Sequence, residues 1–282
     1  MAAPRALPAA PTNGPADIII REHPVRRPSP LAPNARGYVY AVLPNGDVHV
    51  SWSDLFDFVV SRDGRCIDVY AEPERGTEST YTYLISQIIS VALVQLGIES
   101  LHASAVAIDN QAIVLIGDSG YGKSTLTAAL LRAGAKLITD DLLVLRKAGG
   151  GYHVAPGAFR LKLDAGTARE LGVNWTGVPM ADGSGKLVYL LEPALCVTDC
   201  TPLCRMLLLQ PNAREPRLEP VSTAAATREL LAATFNPMHT EPARLTRLLQ
   251  DARQMARTTR IERLHVPRDF HLIDQIVALS LS

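Results

Sequence analysis

The early part of the chain alternates apolar and polar positions with a period of two. Tyr38-Val39-Tyr40-Ala41-Val42 leads into the turn Pro44-Asn45-Gly46-Asp47, and Val48-His49-Val50-Ser51-Trp52 follows. That is the pattern of a β-hairpin. Phe56-Asp57-Phe58-Val59-Val60 and Cys66-Ile67-Asp68-Val69-Tyr70 flank Arg62-Asp63-Gly64 in the same way. Residues 36–72 are therefore expected to form a small antiparallel sheet. Residues 1–34 are rich in proline and mixed polar residues. They read as a mostly disordered arm with a short strand at 17–21.

The period then lengthens. Residues 79–96 predict a helix ended by Gly97. Residues 101–108 and 112–116 predict strands joined by Asp109-Asn110. A helix starting near Lys123 stops at Gly134. Residues 136–139 read as a strand edge entering Asp140-Asp141, and 142–146 continue it. Residues 149–151 are a turn. Short strands and loops fill 152–210, with a helix near 165–171. Helices at 223–235 and 241–257, a strand at 260–266 and a helix at 270–281 complete the chain. No repeat of 20 to 50 residues is apparent. The expected division is an arm (1–34), a small β segment (35–75) and one larger α/β domain (76–282).

The candidate chemistry lies between the apolar run Ala112-Ile113-Val114-Leu115-Ile116 and the helix carrying Leu126, Leu130 and Leu131. Gly117, Asp118, Ser119, Gly120, Tyr121, Gly122, Lys123 and Ser124, followed by Thr125, form a glycine loop between a buried strand and a helix. That is the setting of a phosphate-binding P-loop. The glycines let consecutive N–H groups turn toward phosphate oxygens. The helix start aims its positive end at the same point. Lys123 can reach the β- and γ-phosphates, and Ser124 offers a hydroxyl to Mg²⁺. Asp140-Asp141 follows Lys123 after one helix and an apolar approach. An acidic pair there can supply a Mg²⁺ ligand and a general base.

Composition narrows the classes. The chain has 282 residues, 47% of them apolar, enough for a substantial core. Lys plus Arg equals Asp plus Glu, at 28 each. Duplex-binding domains carry a basic excess, so nucleic acid is disfavoured as a partner. Residues 1–15 lack an apolar signal region. Residues 83–98 are too short and too polar for a membrane span. Four cysteines in a chain of this length do not make a disulfide framework. The expected setting is cytoplasmic, with no membrane partner.

Other residues carry weaker signals. Arg160 and Lys162 alternate with Phe159, Leu161 and Leu163, as in a half-exposed strand; Arg160 is also a candidate to steady phosphate. Lys186, in Gly183-Ser184-Gly185-Lys186, is a loop lysine or a substrate contact. Cys196, Cys200 and Cys204 are spaced four apart, and buried free thiols are the default reading. Residues 241–257 read as an amphipathic helix with Arg244, Arg247, Arg253 and Arg257 on a wet basic face, which could also dock an acidic peptide. Arg228 reads as a surface residue.

The Gly-Lys-Ser-Thr-Leu run also fits transporter ATPases. Their later acidic strand and Leu-Ser-Gly-Gly-Gln signature are absent, as is the guanine-specific Asn-Lys-x-Asp. Leu101-His102-Ala103, twenty-one residues before Lys123 when counted from His102, completes a different set. With the glycine loop and Asp140-Asp141 in register, the chain resembles the HPr serine kinase/phosphorylase family. The likeness is strongest to its shorter HPr-kinase-related P-loop kinases, which include lasso-peptide serine kinases. It covers residues 100–146 and extends to Pro156-Gly157-Ala158-Phe159-Arg160-Leu161-Lys162-Leu163.

The resemblance implies an α/β fold whose mixed-sheet core is like the HPr kinase C-terminal domain and phosphoenolpyruvate carboxykinase. It implies that Lys123 and the loop amides bind ATP, that Ser124 and Asp141 hold Mg²⁺, that Asp140 is the base and that His102 lies near the transferred phosphate. It implies a serine on a peptide or protein as acceptor, with homo-oligomers known in the family. The downstream Glu-x-Arg-Gly-Leu-Gly signature is missing, and a small β-rich segment replaces the large amino-terminal domain. Both departures weigh against HPr and the phosphorylase reaction without excluding them, and a lasso-peptide precursor is also open as substrate. Two other readings remain open: a kinase for a small hydroxylated metabolite, and a nucleotide-sensing regulator without turnover.

Overall fold

The computed structural model describes residues 17–23, 38–52, 55–71 and 77–282. Most of the expected amino-terminal arm lies outside them. The alternating segments form one five-stranded sheet: β1 (Ile19–His23), β2 (Tyr38–Val42), β3 (Val48–Trp52), β4 (Phe56–Val60) and β5 (Cys66–Ala71). The order is β1-β5-β4-β3-β2, with both hairpins as expected and β1 parallel to β5. The strand expected at 17–21 is present, two residues later.

A helical stretch follows as α1 (Thr77–Tyr83), one wider π-type turn at Leu84–Ile88 and α2 (Ile89–Gln95). Its end is fixed by Gly97 at φ +77°, with Gly97 N–H donating to Val94 O and Ile98 N–H to Leu93 O. This is the paired capping of a Schellman end. Leu84, Ile88, Val91 and Ala92 share a core with Val48, Val50, Phe56, Phe58, Val60 and Ile67. Each such large apolar side chain contributes about 1.5–3 kcal/mol on burial. The helix therefore packs on the amino-terminal sheet.

The larger part is built on a mixed sheet. Its elements, in chain order, are β6 (Ser100–Ile108), β7 (Gln111–Ile116), α3 (Lys123–Arg132), β8 (Lys136–Thr139), β9 (Leu142–Ala148), β10 (Gly151–Val154), β11 (Arg160–Asp164), α4 (Ala165–Glu170), β12 (Gly177–Pro179), β13 (Lys186–Leu190), β14 (Thr201–Pro211), β15 (Arg217–Pro220), α5 (Thr223–Ala232), α6 (Pro242–Thr258), β16 (Arg260–Val266) and α7 (Ile273–Leu281). The main sheet runs β10-β9-β6-β7-β14-β16-β15, and β8 pairs with β6. Neighbours β7, β14 and β16 are parallel, while β6 is antiparallel to β7. β10 also pairs with β14, so five strands close on themselves. A three-stranded sheet, β11-β13-β12, lies apart.

One face of the main sheet packs against α3 and α7 through Leu115, Leu126, Leu130, Leu207 and Ile276. The other packs against α5 and α6 through Val114, Leu208, Leu230 and Met255. The β11 strand corrects the half-exposed expectation: Phe159, Leu161 and Leu163 are buried on one side, and Arg160 is buried on the other. Helix α6 is corrected too. Arg244 is buried rather than wet, whereas Leu245 and Leu249 are exposed. Of the three spaced cysteines only Cys196 is buried; Cys200 and Cys204 are exposed. Among the described residues, no helix is long and apolar enough to cross a membrane.

Candidate nucleotide and phosphotransfer site

The site grows from the register between β6 and the β8–β9 segment. Ala105 faces Thr139 and His102 faces Leu142. That register sets Ser104 across from Asp140, and the Ser104 hydroxyl donates to Asp140 Oδ1 at 2.5 Å. Ala103 N–H donates to Asp141 O at 3.1 Å. Asp141 adopts φ +72°, a left-handed conformation that costs a non-glycine residue about 1 kcal/mol or more. The turn separates two adjacent carboxylates and aims them differently.

β7 ends at the glycine loop, and Gly122 at φ +92° caps α3 with no side chain in the way. Its carbonyl accepts the first helical bond, from Leu126 N–H at 2.8 Å. The Lys123 ammonium turns back across the loop and donates to Gly117 O at 2.7 Å and Asp118 O at 3.3 Å. Ser124, one position on, brings its hydroxyl to 3.4 Å from both carboxylate oxygens of Asp140.

Lys162 joins the two acids, and the sequence had not singled it out as a site residue. Its backbone N–H donates to Asp140 Oδ2 at 3.2 Å, and its ammonium forms an ion pair with Asp141. A strand read as half-exposed hid it; its place opposite an acidic pair is visible only once β11 is docked. Arg160, two residues earlier on the same face of β11, lines the small space beneath with Asp140 but reaches toward α1. It pairs with Glu78 and donates to Thr82 Oγ1 at 2.8 Å, tying β11 to α1. It does not line the cavity beside the glycine loop.

These surroundings split the acids. Burial and the neighbouring Asp141 charge raise the proton affinity of Asp140, against the Ser104 and Lys162 hydrogen bonds. Burial also acts on Asp141, but Lys162, His102 and Lys123 outweigh it and hold this carboxyl below its usual range. Burial and the Lys123 charge push the His102 imidazole down to about 4, so it is neutral at pH 7. Burial lowers the Lys123 ammonium as well, opposed by both aspartates.

A cavity of about 450 Å³ opens above the loop. Ser119 to Thr125, His102, Asp141, Lys162 and Lys186 line it together with Val266, Phe270, Ile273 and Ile276. Arg268, also missed in the sequence, folds over the loop and reaches Gly120 O at 3.4 Å. The lining thus combines lysines and the glycine loop with apolar side chains, a mixture suited to a phosphate chain and a flat base. Gly117 and Asp118 line a second, more polar cavity of about 360 Å³ on the other flank, which His102 also touches. Asp140 lies beneath, in a small space of about 40 Å³ shared with Asp141, Lys162 and Gly157. Gly157 is required there: a Cβ would come within 2.2 Å of Thr139 Oγ1.

Comparison with known proteins gives partial matches. No protein-family model matches the chain. It is 33% identical over 72 residues to the HPr kinase/phosphorylase of Lachnoclostridium phytofermentans, covering 25% of this chain and 23% of that protein. It is 39% identical over 70 residues to that of Limosilactobacillus reuteri, covering 24% and 22%. The HPr kinase/phosphorylase of Prosthecochloris aestuarii is 29% identical over 83 residues, covering 29% and 24%. The matches span less than a quarter of these relatives' lengths. A solved structure of the Hpr(Ser) kinase/phosphatase from Coxiella burnetii aligns with TM-score 0.32 and 14% identity, covering 64% of this chain and 92% of that one.

Proposed function

We propose that this HPr-kinase-like chain is an ATP-dependent kinase that moves the γ-phosphoryl group to a hydroxyl, that of a serine on a peptide or protein. The observation that carries the reading is Lys162 binding both halves of the Asp140-Asp141 pair beside the glycine loop. A nucleotide site alone needs no second acid with raised proton affinity; a transferase does.

The loop amides and Lys123 would take the phosphates, with the base against Phe270 and Ile273. The donor set fits Mg²⁺, a hard cation that takes one or two carboxylates, phosphate oxygens and waters. Ser124 and Asp141 would hold it, and when bound it would neutralise phosphate charge. Ser124 touches Asp140, and Asp141 faces Lys162. Asp140, set between Ser124 and a second opening, is assigned as the base. It takes the serine proton as the serine oxygen bonds to the γ-phosphorus. The bond from γ-phosphorus to the β–γ bridging oxygen breaks, and ADP leaves with that electron pair. Neutral His102 can donate a hydrogen bond to the transferred group without adding charge. Lys162 and Lys186 offer charge to the same cavity.

The experiment is incubation of the full chain with labelled ATP and separate peptide and metabolite pools. Label should move to peptide serine, and Lys123→Ala should abolish it. Transfer to metabolites alone would favour the small-molecule reading. ATP binding with no transfer to either pool would favour a nucleotide sensor.

A further inference from the structure

The small space at Asp140 has a second neighbour. Ile85, Leu142, Gly157 and Ala158 line it and also line a groove of about 880 Å³ on the side away from the glycine loop. The groove runs between α2, the outer end of β9 and α6. Its floor is apolar, with Leu93, Ile98, Leu145 and Leu248 half-buried or exposed. A volume of this size falls within the range of ligand clefts.

The charges around the groove do not cancel. Glu99 is used by Arg244, and Asp251 by Lys147. Arg146 and Arg247 remain exposed, with no ion-pair partner among the described residues. Tyr152 is buried in the same wall, and its hydroxyl has no hydrogen-bond partner. An apolar floor, two unpaired cations and an unpaired hydroxyl describe an occupant that is both apolar and acidic.

We infer that this groove is the docking channel for the acceptor, a peptide segment with apolar side chains and at least one carboxylate. The segment lies along β9 and α6, meets Arg146 and Arg247 with its acidic side chain, and delivers its serine to Asp140 from the face opposite the nucleotide. The inference rests on the phosphotransfer reading and assigns its acceptor route. The alternative route is the polar cavity beside Gly117, whose wall carries Glu229 and Arg263.

The test uses the full chain and three matched synthetic peptides with leucines around one position. One carries glutamates, one lysines, and one alanines in place of the leucines. Binding is measured by fluorescence anisotropy on forms with alanine in place of serine, alongside a non-hydrolysable ATP analogue. Transfer is measured separately on the serine forms. The glutamate–leucine peptide should bind best. The double variant Arg146→Glu, Arg247→Glu should weaken it by about tenfold or more, while leaving analogue affinity unchanged. Ile98→Asp, at an exposed floor position, should also weaken it, with thermal unfolding confirming a folded variant. The inference is overturned if no peptide binds, if the lysine peptide binds as well, or if only Arg263→Glu in the far cavity weakens binding. Binding that is lost in the groove variants, but never followed by transfer, would keep the docking site and overturn the kinase reading.

Discussion

The hydroxyl of Ser124 lies equally close, at 3.4 Å, to both carboxylate oxygens of Asp140. The acid assigned as base therefore sits in contact with the side chain assigned to the metal. Asp140→Asn keeps the shape and removes the base. It should leave Mg²⁺-dependent ATP binding within a few-fold of the parent while transfer falls by about 10²–10⁴. Isothermal calorimetry with and without Mg²⁺, beside a transfer assay, separates the two effects. Collapse of Mg²⁺-dependent binding in Asp140→Asn but not in Asp141→Asn would exchange their roles.

His102 predicts an acid sensitivity of the fold. Its imidazole is held near 4 against an ordinary 6.5. Between those values the unfolded chain binds a proton that the folded chain refuses. Stability is therefore whole above about pH 6.5 and declines as pH falls toward 4, by up to about 3 kcal/mol from this group. Urea unfolding at pH 7 and pH 4.5 should show a smaller loss for His102→Asn than for the parent. An equal loss in both proteins would assign the sensitivity elsewhere.

Arg160 is expected to act on stability rather than on phosphate. Its guanidinium joins Glu78 and Thr82 of α1, so it holds the amino-terminal sheet and helix to the core. Arg160→Met should lower unfolding free energy by about 3–5 kcal/mol, since Glu78 loses its partner. The Michaelis constant for ATP should stay within about twofold in protein that remains folded, because the cavity beside the loop does not include this side chain. A tenfold rise without destabilisation would restore the phosphate role.

Arg244 makes a stronger structural case. Nε and Nη2 donate to the two oxygens of Glu99 at 2.8 Å, and the remaining donors reach the carbonyls of Phe235, Asn236 and His239. All five guanidinium N–H groups are used. Arg244→Ala should cost about 3–5 kcal/mol, and Arg244→Lys should recover only part of it because an ammonium cannot reproduce the fork. Thermal unfolding of the three proteins checks the order; a lysine variant as stable as the parent would contradict it.

These residues show what the sequence could and could not convey. The glycine loop, the two hairpins and the Gly97 and Gly134 helix ends were legible because each rests on neighbours in the chain. The Asp140-Asp141 pair was legible for the same reason. Lys162, Arg268 and the true settings of Arg160 and Arg244 were not. Each depends on a partner from a distant element, such as Glu78 for Arg160 and Glu99 for Arg244. Residue periodicity reports which face of an element is apolar. It does not report that a buried cation will find a carboxylate about 80 or 145 positions away.

The double pairing of β10 has a consequence for life in a crowded solution. By bonding to β9 and β14 at once, it removes an open border that another chain could copy. The border left on the far side is β15, four residues long, with Arg217 at one end and Pro220 at the other. Shortness, charge and a missing N–H each discourage strand addition. The sheet that carries the phosphate loop thereby offers another chain little edge to extend.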